Sequence, residues 1–124
     1  MKAITYEKYG SPDVLQFKEV AKPAPKDDEV LIRVQAASVN ARDWHLLSAD
    51  IFLVRLMNGG LLKPKNPILG ADVSGQVEAV GSAVKQFRPG DEVFGYLSRH
   101  GGSTFAEYVC AGEDEITLKP ANLS

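Results

Sequence analysis

The sequence predicts a mostly β domain, built as a sandwich or a barrel, with a short helical insertion. About seven short strand-like runs are separated by turns, and two helical pieces lie between the third and the fourth run. Strands at this spacing are typical of all-β sandwiches and barrels. The 124 residues are enough for one domain with its own hydrophobic core.

The first three predicted strands precede the helical pieces. Lys2–Tyr6 and Leu15–Val20 are joined by the turn YGSPD, which contains both a glycine and a proline. The Pro/Lys/Asp-rich connector AKPAPKDDE follows and is predicted to be a surface loop. The third strand lies within EVLIRVQAASVN, where alternating aliphatic residues give one face a strongly apolar character.

A short helix is predicted to begin after Asn40, over the segment ARDWHLLSA. Asparagine is a favoured N-cap residue, and Asp43 stands at the third helical position, as in a capping box. Val39 and Trp44 flank the cap at the positions of a hydrophobic staple. Local sequence alone therefore predicts where this helix begins.

A second helical piece is predicted over DIFLVRLMNGG, with Asp50 at its start and Gly59 at its end. The apolar segment Ile51–Leu62 could line or cover a hydrophobic substrate pocket. It could equally form a helical hairpin that covers one end of a barrel. An interfacial membrane helix is the third alternative, and it is the least favoured because few cations are present.

The remaining strands follow a loop rich in glycine and proline. DVSGQVEAVG alternates along its length, and the turn RPGD has proline and glycine at the second and third positions of a type II turn. Three further runs, DEVFGY, TFAEYVCA and EITLKP, complete the set of strands.

Composition and charge exclude several classes of function. Sixteen acidic residues against fourteen basic ones give a net charge of −2, whereas a nucleic-acid binder would carry a basic excess. The single cysteine, Cys110, cannot form an internal disulfide or a multi-thiolate zinc site, so we expect a reducing, cytoplasmic location. No secretory signal and no apolar run of membrane-spanning length is found, so no membrane partner is predicted.

Motif spacing by itself identifies no catalytic centre. Gly70 and Gly75 have the spacing of the outer glycines of a phosphate loop, but the residues that follow are Gln76 and Val77, and the segment is strand-like. The histidines, acids and cysteine show no metal-binding spacing. Cys110 lies in an apolar strand pattern, which favours an inert thiol over a nucleophile.

The sequence nevertheless resembles a known family, the N-terminal catalytic domain of the medium-chain dehydrogenase/reductases. This is the GroES-like domain, also called the alcohol dehydrogenase GroES-like domain. The resemblance lies in the segments SVNARDWHLL, LGADVSGQVEAVGSAVKQFRPGDEVFG and GGSTFAEYVCAGEDEITLKPANLS. It implies a bent, partly open β-barrel with a helical insertion at about residues 40–62. It also implies that residues 1–124 lack the Rossmann nucleotide-binding domain and the C-terminal return segment.

The resemblance also indicates which branch of the family this sequence is most similar to. In zinc alcohol dehydrogenases a cysteine ligand occupies the place of Asn40, and a histidine ligand occupies the place of Ala71. Neither residue replaces such a soft ligand on tetrahedral zinc. The match is therefore to the zinc-independent branch, which resembles quinone oxidoreductases.

The resemblance implies a set of site residues at the cleft between the two domains. Those with an implied catalytic part are Asn40, Asp43 and His45, and those bordering the substrate and nicotinamide are Trp44, Asp72 and Tyr96. Asn40 and Asp43 serve equally well as helix-capping residues. The proton for the reduced substrate could come from solvent, Tyr96 or His45, and these alternatives stay open.

The implied function is the substrate-side half of an NADPH- or NADH-dependent oxidoreductase. It would reduce a quinone or a conjugated carbonyl without zinc, would be inactive as 124 residues alone, and would form a homodimer at full length. Two alternatives are a zinc-type alcohol dehydrogenase relative and a non-enzymatic assembly module like the co-chaperonin. The charged connector AKPAPKDDE lacks the apolar hook of a co-chaperonin's mobile loop.

Overall fold

The computed structural model describes residues 1–48, 66–97 and 102–123, which form seven strands, one α-helix and two short 3₁₀ helices. The second predicted helical piece and the segment Ile51–Leu62 lie outside the described residues. The 3₁₀ helices cover Pro12–Val14 and Glu113–Glu115. The other elements are β1 (Lys2–Thr5), β2 (Gln16–Glu19), β3 (Glu29–Ala36), α1 (Ala41–Ser48), β4 (Asp72–Val80), β5 (Glu92–Tyr96), β6 (Tyr108–Gly112) and β7 (Ile116–Leu118).

The strands form two antiparallel sheets. The small sheet pairs β1 with β2, and the large sheet has the order β6-β3-β4-β5-β7. Two isolated bridges, Ala3 with Ala106 and Thr5 with Ile68, join the small sheet to the rest. The described strands form no closed barrel, which agrees with the predicted partly open GroES-like fold.

The main core lies against one face of the large sheet. In β4 the residues Val73, Gly75 and Val77 are buried and alternate with less buried neighbours, as the sequence pattern predicted. Strand side chains alternate between faces, so a period of two places every second residue in the core. The buried cluster consists of Val30, Ile32, Val73, Val77, Phe87, Val93, Leu97, Val109, Ala111 and Ile116.

Irregular register in β3 bends the large sheet. Its pairing with β4 shifts between Leu31 and Ile32 and again between Val34 and Ala36. Bulges of this kind increase the local twist and curve the strand. The strand then ends at Ala36, within the run in which it was predicted, and the chain turns toward α1.

The turn Arg88–Asp91 has the predicted geometry. The Asp91 N–H donates to the Arg88 carbonyl at 3.1 Å, and Gly90 has a φ of +97°. The positive φ at the third position is what a type II turn requires.

The strand predicted over TFAEYVCA is shorter than expected, since regular pairing begins only at Tyr108.

A second buried cluster holds α1 against the segment that follows β1. Tyr6, Leu47 and Leu69 are buried together, with Leu46 and Phe105 packed against them. This packing places the helix beside the segment that leads into β4. Among the residues that the structure describes, no helix is long and apolar enough to cross a membrane.

Candidate active site

The site begins at the N-terminus of α1, which is capped as predicted. The Asn40 side-chain oxygen accepts from the Arg42 N–H at 3.2 Å, and the Asp43 carboxylate accepts from the Asn40 N–H at 3.0 Å. These two bonds satisfy backbone N–H donors at the start of the helix that have no partner within it. The capping-box prediction for Asn40 and Asp43 is confirmed.

Asp43 also ties the helix to the segment before β4. Its other carboxylate oxygen accepts from the Gly70 N–H at 3.0 Å, and the residue is 3% exposed. Gly70 has a φ of +103°, and a Cβ at this position would lie 2.2 Å from the Thr104 hydroxyl oxygen. Only glycine fits this conformation and this space. Asp43 is thus an acceptor of two backbone N–H groups at the base of the site.

Asp72 gathers two side chains from the segment between β3 and α1. The Ser38 hydroxyl donates to its Oδ2 at 2.7 Å, and the Asn40 Nδ2 donates to the same oxygen at 3.0 Å. A groove of about 270 Å³ runs beside this carboxylate, with Ala37, Ser74 and Phe94 among its lining residues. We call it the Asp72 groove.

Tyr96 joins this group through strand pairing. It is the Cα partner of Asp72 across β4 and β5, and directly opposed residues present their side chains on the same face. Tyr96 is 47% exposed, and Phe94, two residues earlier on the same face, is 42% exposed. The fold therefore brings Asn40, Asp72 and Tyr96 together, although they are far apart in sequence.

Trp44 and His45 form a separate exposed pair on α1. Their ring centroids are 5.0 Å apart at an interplanar angle of 70°, an edge-to-face arrangement. The predicted hydrophobic staple between Val39 and Trp44 is wrong, because the two side chains are 80% and 52% exposed. A staple requires mutual burial, and here Trp44 lies against His45 instead.

Asn40 and Ala71, at the positions of zinc ligands in the zinc alcohol dehydrogenases that the sequence resembles, carry no comparable donors here. Ala71 is fully buried, and its methyl group offers no lone pair. The Asn40 amide already uses its oxygen for Arg42 and its nitrogen for Asp72. Across residues 1–48, 66–97 and 102–123, no group of three or more histidine, cysteine, aspartate or glutamate side chains is arranged to hold a metal ion.

Cys110 lies on β6, away from the Asp72 groove. Burial raises the pKa of its thiol from 9.0 to about 11, with a further contribution from the charge of Glu29. A raised pKa keeps the sulfur protonated at neutral pH and lowers its reactivity. This agrees with the interpretation of Cys110 as an inert thiol.

Sequence reasoning missed Ser38 and Phe94. Ser38 lies just after a strand, where a serine has no distinctive signal, and its partner Asp72 is 34 residues away. Its sequence pattern predicts for Phe94 only a place in a strand. The alternation in DEVFGY places Phe94 and Tyr96 on one face, which could have indicated their exposure.

Comparison with known proteins places these features in a family. A family model described as the alcohol dehydrogenase GroES-like domain matches residues 26–121. A chloroplastic quinone-oxidoreductase homolog from Spinacia oleracea is 38% identical over 130 aligned residues, covering 100% of this chain and 36% of that protein.

Two solved structures have the same fold over the whole chain. The quinone oxidoreductase from Coxiella burnetii superposes with a TM-score of 0.87 at 34% identity, covering 100% of this chain and 38% of the other. The quinone oxidoreductase from Escherichia coli, complexed with NADPH, gives 0.82 at 25% identity, with coverages of 100% and 35%. The chain thus spans little more than a third of the length of these proteins.

The family match covers β3 to β7, including the capped helix, the Asp72 groove and the type II turn. The solved structures extend the agreement to the small sheet. The chain therefore belongs to the alcohol dehydrogenase GroES-like domain family, as an N-terminal GroES-like domain of the medium-chain dehydrogenase/reductase superfamily.

Proposed function

We propose that this chain is the substrate-side domain of a zinc-independent, NAD(P)H-dependent oxidoreductase that reduces a quinone or a conjugated carbonyl. The observation that carries the proposal is that Asp72, which lines the Asp72 groove, is bonded to Asn40 and paired across the strands with Tyr96. The relatives named as quinone oxidoreductases support the substrate class. The nucleotide-binding part of the active enzyme would lie in the two thirds of those proteins that this chain does not span.

We expect the described residues to meet only the nicotinamide end of a dinucleotide. The N-terminus of α1 is already occupied by Asn40 and the negatively charged Asp43, so it is not available for a phosphate. When bound, the reduced nicotinamide supplies the hydride. The part of this chain is to orient the acceptor and to exclude water around it.

Individual residues have distinct proposed parts. The Asn40 side-chain amide donates at the edge of the cleft. Asp43 accepts from the Asn40 backbone N–H and so holds the residue in place. Tyr96 and His45 are both exposed, and the proposal keeps the Tyr96 hydroxyl and the His45 imidazole as alternative proton donors to the reduced oxygen. Trp44, half-exposed beside His45, offers an aromatic surface to the substrate.

Zinc independence is supported by the chemistry of the available donors. A buried alanine cannot ligate a metal, and Asn40 is engaged at both ends of its amide. Without a Lewis acid, polarisation of the substrate carbonyl must come from hydrogen bonds and a desolvated site. We therefore expect the full-length enzyme to keep its activity after dialysis against a zinc chelator.

The test is an activity assay of the full-length protein with NADPH and, in parallel, NADH. Loss of the reduced nicotinamide's absorbance should occur with a para-quinone or an α,β-unsaturated ketone, whereas a saturated alcohol with NADP⁺ should give no reaction. Stoichiometric zinc together with alcohol oxidation would overturn the proposal. Tyr96→Phe and His45→Gln variants in the same assay separate the two candidate proton donors.

Oligomeric state and location remain proposals of their own. We propose a homodimer at full length, which size determination of the purified protein would test. The spinach relative is chloroplastic by name, so family membership fixes no compartment. The cytoplasmic location stays a prediction from cysteine content.

A further inference from the structure

Ser38 is bound to the same carboxylate oxygen as Asn40. Its hydroxyl donates to the Asp72 Oδ2 at 2.7 Å, while the Asn40 Nδ2 donates to that oxygen at 3.0 Å. Both lengths are ordinary for O–H···O and N–H···O hydrogen bonds, and hydrogen bonds to a carboxylate are stronger than those between neutral groups. Two donors converging on one oxygen limit the rotation of the Asp72 carboxylate.

The bonds fix which way the Asn40 amide points. The nitrogen meets the carboxylate of Asp72, and the oxygen accepts from the Arg42 N–H at 3.2 Å. A flipped amide would place its oxygen against a negatively charged oxygen and its NH₂ group against an N–H donor. Only one orientation therefore satisfies both neighbours.

From this arrangement we propose that Ser38 is a positioning residue, which acts through Asp72 to hold the Asn40 amide in the orientation needed at the cleft. This inference rests on the proposed function and adds a residue that the resemblance did not indicate. Ser38 contacts Asp72, not the reacting atoms. Without the Ser38 hydroxyl, the Asp72 carboxylate loses one of its two side-chain donors and can turn away from Asn40.

The contacts of Ser38 distinguish a positioning role from a contribution to the stability of the fold. Ser38 lies beyond the end of β3 and is exposed, so its hydroxyl is not packed in either hydrophobic cluster. The α1 cap also stays intact without it, because Asn40 and Asp43 make the capping bonds themselves. Replacing Ser38 with alanine should leave the fold and the helix unchanged.

The kinetic test compares Ser38→Ala, Ser38→Thr and a matched control, Ser82→Ala, in the full-length protein. Ser82 is an exposed serine in the turn after β4. We expect Ser38→Ala to lower kcat/KM roughly tenfold, mainly through kcat, because the lost bond is to a charged group. Ser38→Thr keeps a hydroxyl and should recover most of the activity, and Ser82→Ala should match the wild type.

A second readout does not depend on activity. In nuclear magnetic resonance spectra of the 124-residue chain, the side-chain amide protons of Asn40 should be shifted by the Asp72 carboxylate and should exchange slowly. In Ser38→Ala that shift should shrink and exchange should become faster, while Ser82→Ala should leave both unchanged.

The two readouts distinguish failure of the inference from failure of the proposed function. If the wild type reduces quinones and Ser38→Ala matches it in kcat/KM and in the Asn40 amide signals, the positioning role is overturned and the function stands. If the wild type reduces no acceptor, the proposed function falls, and the amide signals still decide whether Ser38 orients Asn40. A loss in Ser38→Ala that threonine does not recover would also overturn the role of the hydroxyl.

Discussion

Asp43 has two carboxylate oxygens, and each one satisfies a different backbone N–H group. One accepts from Asn40 at the start of α1, and the other accepts from Gly70 in the segment that leads into β4. Because the residue is buried, removing its carboxylate would leave at least one donor without a partner and without water. Asp43 therefore both caps α1 and connects the helix to the segment that leads into β4.

We expect Asp43→Ala to lower the free energy of unfolding by about 2–4 kcal/mol, the cost of a lost cap plus an unsatisfied buried donor. Asp43→Asn keeps one oxygen acceptor and should lose less. Chemical denaturation followed by circular dichroism measures both. Asp13→Ala, which removes an exposed acid from the first 3₁₀ helix, serves as control and should stay within about 0.5 kcal/mol of the wild type. An equal midpoint for Asp43→Ala and the wild type would contradict the linking role.

The connector between β2 and β3 is held to the large sheet by an exposed group of three side chains. Lys22 lies 2.5 Å from the Glu78 carboxylate on β4 and 4.0 Å from the ring centroid of Tyr108 on β6. The Tyr108 hydroxyl also donates to Glu78 at 3.2 Å. The hydrogen bond with Glu78 raises the pKa of Lys22, and the same bond lowers the pKa of Glu78.

These shifts fix the sign of a pH dependence. Because folding lowers the Glu78 pKa, its contribution to stability is present above the ordinary value of 4.5 and is lost as pH falls through the lowered value. Because folding raises the Lys22 pKa, its contribution is present below 10.5 and is lost as pH rises through the raised value.

Glu78→Gln should therefore differ from the wild type in its denaturant midpoint at neutral pH and should converge with it in acid. The expected difference is small, since exposed ion pairs contribute little. Denaturation curves measured across the pH range, at low salt, would show the convergence. Asp28→Asn, an exposed acid in the same connector, makes the same charge change and should run parallel to the wild type. A difference in denaturant midpoint between Glu78→Gln and the wild type that stays constant down to the lowest pH would contradict this pH dependence.

The whole chain has a core of its own, but its sequence contains no complete dinucleotide-binding motif. Its buried cluster draws on all strands of the large sheet, so we expect 124 residues to fold without further sequence. No strand–G-x-G-x-x-G–helix unit is present in the sequence to cradle a pyrophosphate. The capped N-terminus of α1 offers no substitute.

We accordingly predict that the 124-residue chain alone binds NADPH no tighter than about 1 mM and does not turn over. Isothermal calorimetry with the isolated chain measures the affinity, and the full-length protein is the positive control. Micromolar binding to residues 1–124 would show that this domain holds the phosphates itself. The comparison is valid only when circular dichroism shows that the isolated chain is folded.

Much of the fold could be predicted because its signals are local. The alternation in β4, the capping box at Asn40 and the type II turn at Gly90 each depend on residues within a few positions of one another. The ends of strands were less predictable. The third strand was predicted only to lie within the run that ends at Asn40, and its end at Ala36 and its two register shifts are seen only in its pairing with β4.

The sequence by itself determined that α1 starts after Asn40 and that the domain is mostly β, and its resemblance to a known family set Ala71 at the position of a zinc ligand. Only the tertiary structure decided that Ser38 and Asn40 meet on one oxygen of Asp72, across 34 and 32 residues, and that Asp43 reaches Gly70 across 27. The physical reason is that helix caps and turns are set by neighbouring residues. Contacts between β3, α1 and β4 depend on register and on bulges, which are settled only when the strands pair.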